Sequence, residues 1–183
     1  MNAGHLRRAG ALGAVLALGS LGLAGTAAQA DQDGARAEGA QISMELEGKE
    51  VFFKGPNSVD AGTELEIVNN TDPAEIGPHS FTLVDKDLLP EFSKKAFKEC
   101  FKEGVCASVF KAHKVDVEKE TVGKKLVRAG KEGWDSSFGK RGDSWFALKQ
   151  DQTFSQKVSA KAGSKLYYFC VVHPEMQGKL KVK

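Results

Sequence analysis

Tyr168-Phe169-Cys170-Val171-Val172-His173-Pro174-Glu175-Met176-Gln177-Gly178-Lys179-Leu180-Lys181-Val182 reads as the end of an apolar strand, a tight turn and a closing strand. Within it a thiol, an imidazole and a thioether fall in seven residues. A strand end followed by a short turn lets Cys170, His173 and Met176 converge on one point. Thiolate, imidazole and thioether together are soft donors that favour copper, whereas a structural zinc site takes more thiolate or imidazole and avoids thioether. The loop lacks a second imidazole, and Pro78-His79 supplies one at the start of another apolar strand. Trigonal His₂Cys with a weak axial Met is an electron-transfer copper donor set. The expected metal ligands are therefore His79, Cys170, His173 and Met176.

Outward from this loop, most of the chain carries strand signals. Residues 42–47, 50–54, 63–69 and 79–84 alternate apolar and polar or form short apolar runs, and are separated by Gly-Pro-Asn and Asn-Asn-Thr-Asp-Pro turn clusters. Residues 144–148, 153–160, 165–172 and 179–183 repeat the pattern. Phe81 and Leu83 share one face of their strand, and His79 joins that face by parity at its mouth. Many short strands with Gly and Pro turns predict an all-β Greek-key sandwich. The pattern breaks between about residues 85 and 143. There the Lys- and Glu-rich stretch 92–104 predicts an amphipathic helix, residues 115–129 a second short helix, and residues 130–143 irregular chain around Trp134. This stretch reads as a partly helical insertion between two strands of a single domain.

The N-terminus has its own signature. Arg7 and Arg8 precede an almost unbroken Ala, Gly, Leu and Val run over residues 11–28, and Ala28-Gln29-Ala30 supplies a small-x-small cleavage pattern. Residues 1–30 thus read as a secretory signal peptide, leaving residues 31–183 as the exported domain, periplasmic or extracellular, with no membrane span after cleavage. Without Arg7 and Arg8, the 26 basic side chains of the whole chain fall to the same number as the 24 acidic ones. A balanced charge excludes the basic excess of a nucleic-acid binder, and a monomer is expected.

The ligand loop, with Pro78-His79 before it, resembles the cupredoxins, the small blue copper proteins. The two-residue gaps before His173 and before Met176, together with Pro174, most resemble amicyanin within that family. The resemblance covers residues 31–84 loosely and 144–183 more closely. It implies a Greek-key β-sandwich, one bound copper ion cycling between Cu(I) and Cu(II), and a one-electron carrier serving a redox partner protein. It also implies that His173 is where the electron leaves. Two departures stand out: Ser80 follows the first ligand His where the family commonly has Asn, and the insertion at 85–143 is longer than usual. A Cu(I)-handling or delivery module without redox turnover would use the same donors and is the alternative. Outside the signal peptide only His79, His113 and His173 remain, too few for the extra copper centres of nitrite reductases or multicopper oxidases, so no enzyme activity is expected.

Export also gives the cysteines meaning, since disulfides persist in oxidising compartments. Three cysteines leave one unpaired. With Cys170 kept as a thiolate for copper, Cys100 and Cys106 are expected to pair within the insertion, which would pack on the sandwich through Phe97, Phe101 or Trp134. The competing assignment is a second metal site made of Cys100, Cys106 and His113.

Overall fold

The computed structural model describes residues 39–119, 121–128, 133–135 and 143–183; the segment 1–30, expected to be a signal peptide, and most of the stretch 130–143 lie outside the described residues. The strands are β1 (Ala40–Glu47), β2 (Glu50–Lys54), β3 (Ser58–Val59), β4 (Glu64–Asn69), β5 (His79–Val84), β6 (Ser144–Ala147), β7 (Gln152–Lys157), β8 (Lys165–Phe169) and β9 (Gln177–Val182). The helices are α1 (Pro73–Ile76), α2 (Lys94–Lys102) and α3 (Val105–His113), with a 3₁₀ turn at Lys86–Leu88.

The strands form two sheets, ordered β2-β1-β4-β7 and β3-β9-β8-β5-β6. After the antiparallel pair β5–β6 the chain crosses to the first sheet as β7, then returns as β8 to lie beside β5. That return past the intervening strand is a Greek-key connection. The all-β sandwich expected from the turn-punctuated strands is the architecture found.

Period-two alternation decides what fills the space between the sheets. Ile42 and Met44, Leu65 and Ile67, Phe81 and Leu83, Trp145 and Ala147, Leu166 and Tyr168, and Leu180 and Val182 form one buried cluster with Cys170 and Met176. Gly178, paired with Tyr168 across β8 and β9, is required by packing: a Cβ there would lie 2.4 Å from the tyrosine ring.

The opposite face of β5, β6 and β8 is also covered. Val84, Phe146, Phe169 and Val171 pack with Val105, Cys106, Val109 and Cys100 in a second cluster. Every residue of β5 is therefore buried, as expected for a strand covered on both faces. The covering layer is the excursion that leaves β5 at Val84 and re-enters at Ser144.

Parts of this layer differ from the sequence expectation. The first helix forms as α2, started by Ser93, whose hydroxyl accepts from Ala96 N–H. The second helix is α3, not residues 115–129. That stretch instead doubles back through an Asp116–Thr121 bridge, and the Gly123 N–H bonds to the His113 carbonyl at the end of α3. Gly123 is the residue that permits the approach, because a Cβ there would meet that carbonyl at 2.6 Å. Of the three expected anchors only Trp134 enters the sandwich core, edge-on to Phe81 and Phe154. Phe101 stays exposed and lies tilted against Phe110, and the helices dock through Cys100, Val105, Cys106 and Val109 instead. Cys100 and Cys106 are joined in a disulfide.

Candidate metal centre

The centre lies at one end of the sandwich, where β5 begins and β8 ends. The route into β5 is set locally. Asp72 caps α1 by accepting from Ala74 N–H, Pro73 occupies the first turn, and Gly77 at φ 82° ends the helix. His79 then enters the strand fully buried. Past β8 the chain turns back on itself: Cys170 N–H donates to the Met176 carbonyl (2.9 Å), and Met176 N–H to the His173 carbonyl (2.8 Å).

These turns bring together the donor atoms of His79, Cys170 and His173, all within 4.8 Å of one another. Cys170 Sγ lies 3.7 Å from His79 Nδ1 and 3.7 Å from His173 Nδ1. The two imidazole centroids are 4.7 Å apart. A first-row metal bonded at about 2.0 Å to nitrogen and about 2.3 Å to sulfur, with donors near 120°, needs a sulfur-to-nitrogen separation of about 3.7 Å. The observed separations therefore fit one ion in a trigonal plane of His₂Cys. Met176 is buried in the same cluster as Cys170, with its backbone tied to both Cys170 and His173.

The surroundings prepare the donors. Burial, with the second imidazole close by, pushes His79 down to about 3. Burial likewise lowers His173, against opposing pulls from Glu175 and from a backbone hydrogen bond to Ile76. Both rings are then neutral at neutral pH, with a lone pair free for a metal. Burial raises the Cys170 thiol, while backbone N–H groups of Ser80, His173 and Val172 favour its anion. Ser80 N–H donates to Cys170 Sγ at 3.2 Å, and Ser80 Oγ accepts from Val171 N–H at 2.8 Å. Ser80 thus ties the two ligand-bearing segments together with both its backbone and its side chain.

Cys170 is the one free cysteine among the described residues. His79, Cys170 and Met176 are fully buried, whereas His173 is half-buried. A groove of about 750 Å³ opens beside the centre, with Pro78 and Val172, the neighbours of the two histidines, in its wall.

His113 takes no part in a second metal site. One ring nitrogen lies 3.0 Å from the Lys125 carbonyl and the other 2.5 Å from Ser144 Oγ, and both sulfurs of the proposed partners are spent in the disulfide. The residue that sequence reasoning missed is Gln177. Its side chain joins the ligand loop to the excursion, and the excursion's path is not legible from the loop.

Topology and donors together give a Greek-key β-sandwich that carries a His₂Cys cluster at one end. No protein-family model matches the sequence, and no curated protein matches it. The solved structures to which the chain is similar include cupredoxins and a multi-copper oxidase. A purple cupredoxin from Nitrosopumilus maritimus is 14% identical, with 79% of this chain and 99% of that one covered at a TM-score of 0.40. Auracyanin A from Chloroflexus aurantiacus is 19% identical, covering 78% and 98% at 0.40. Amicyanin from Paracoccus versutus is 15% identical, covering 80% and 83% at 0.36. The identities are low, and the chemistry of the centre rests on its own side chains.

Proposed function

We propose that the protein is an exported type 1 copper protein that carries single electrons, in which His79, Cys170, His173 and Met176 would hold the ion. The observation that carries this is the convergence of one thiol and two neutral imidazoles at the 3.7 Å spacing a trigonal ion requires. When bound, copper supplies a one-electron couple between Cu(II) and Cu(I).

The protein's part is to hold the donors. His79 is held by β5, and Cys170 by the end of β8, which pairs with β5. Ser80 N–H faces the sulfur and stabilises its negative charge. A frame packed on both faces keeps the donors nearly still as the ion changes charge, which lowers the reorganisation that electron transfer must supply. His173 is the ligand nearest solvent, so a redox partner protein meets the centre on that side.

Export is supported by the N-terminal pattern and by a disulfide, which persists in oxidising compartments. No helix among the described residues is long and apolar enough to cross a membrane. The test is to load the chain lacking residues 1–30 with Cu(II). Intense visible thiolate-to-copper absorption and a reversible voltammetric wave are expected. A colourless protein that holds Cu(I) and cannot be cycled would replace this reading with copper handling.

A further inference from the structure

We infer that the excursion between β5 and β6 braces the metal-binding loop, and that Gln177 is the positioning residue that joins the two. Gln177 is the first residue of β9, directly after Met176. Its side-chain nitrogen donates to the Pro174 carbonyl at 2.8 Å and to the Pro90 carbonyl at 2.7 Å. Pro174 lies inside the ligand loop, and Pro90 lies on the arm that leads from β5 into α2. Both prolines are buried, where a carbonyl left without a donor is costly. One amide therefore serves two carbonyls from separate segments. Two converging carbonyls also fix the orientation of the amide, since its own oxygen in that position would face both of them.

The other side of the loop is held by packing. Val171 and Val172, the two residues between Cys170 and His173, lie in the cluster formed with Val105, Cys106, Val109 and Phe110. The segment that carries the ligands is thus part of the excursion's own core on one flank and bonded to its entry arm on the other. An excursion that merely decorated the sandwich would leave the loop's flanks to solvent.

Gln177→Glu and Gln177→Leu separate this from general stability. Gln177→Glu keeps size and solubility while replacing the donor with an acceptor, so it remains informative where Gln177→Leu folds poorly. In the metal-free protein, hydrogen exchange of the Met176 and Cys170 amides, which close the loop, is expected to accelerate about tenfold or more. Core amides of β1 and β4 should keep their wild-type rates. In the copper-loaded protein, an arm that rests on the proposed function, the ratio of the visible absorption bands should change and capture of copper by a chelator should quicken about tenfold. Loop exchange within about twofold of wild type, or acceleration shared equally by β1 and β4, would overturn the brace. A wild-type protein that never colours would sink the copper reading instead, and the exchange measurement would still decide the role of Gln177.

Discussion

At the scale of single residues, the centre divides into side chains that would touch the ion and side chains that hold those in place. Cys170 is the only anionic soft donor, so Cys170→Ser is expected to abolish the visible absorption of the copper-loaded protein while far-ultraviolet circular dichroism stays unchanged. Colour that survives would put the site elsewhere. Ser80 should behave differently. Its backbone N–H to the sulfur persists in Ser80→Ala, so the colour should remain, but Val171 N–H is left buried without its acceptor. That costs about 1–3 kcal/mol, read as a lowered denaturant midpoint. Unaltered stability would show that the Ser80 hydroxyl ties nothing. The proposed ligand set could be drawn from sequence because three of its donors lie within seven residues and the fourth opens a strand. Ser80 was legible only as a departure from the cupredoxin pattern, since its bond spans 91 residues of chain.

At the scale of elements, most strands could be read because one face in the core shows as alternation, whereas β5 and β6, buried throughout, show as short runs rich in apolar residues. β3, two residues long, is too short for a period to register, and α1 is a single turn hidden in a turn-rich cluster. The helix α3 escaped for a different reason. Val105, Cys106, Val109 and His113 are all buried, so its surface has little of the polar-against-apolar contrast that marks α2. Residues 115–129 carry apolar side chains at roughly helical spacing, yet Gly123 and the β-branched residues around it serve a chain that folds back over α3. The α2–α3 hairpin is itself closed by the Cys100–Cys106 bridge. Thiol titration of the unfolded, metal-free protein should find one free thiol without reductant and three with it. By the loop-closure estimate, reduction should cost about 2–3 kcal/mol of stability. Three thiols before reduction would mean the bridge does not form.

At the scale of the whole molecule, two hydrophobic layers share the sheet that carries β5, β8 and β6, and the ligand loop is held between them. One joint between the outer layer and β6 is a buried neutral histidine, beside the backbone bonds from Arg128 N–H to the Ser144 carbonyl and from Phe146 N–H to the Leu126 carbonyl. His113 is 1% exposed, held between the Lys125 carbonyl and Ser144 Oγ. Burial, aided by the Arg128 charge and opposed by the Lys125 carbonyl, pushes it from 6.5 down to about 4. The sign of the linkage follows from which state binds the proton. Below the unfolded value of 6.5 the unfolded chain takes up a proton that the folded protein refuses, so the contribution to stability is complete above 6.5 and is lost as the pH falls toward 4. A full shift of this size removes about 2 kcal/mol by about pH 5. The two ligand imidazoles are lowered as well and add loss of the same sign in the metal-free protein, so wild type alone cannot isolate the joint. The comparison is with His113→Gln, which keeps a polar side chain at that position and cannot titrate. Urea unfolding of both metal-free proteins should show the wild type losing about 2 kcal/mol more than the variant between about pH 7.5 and about pH 5. Parallel losses would mean that His113 is protonated without strain in the folded state, and that the excursion is held to the sheet by its apolar cluster and its other hydrogen bonds.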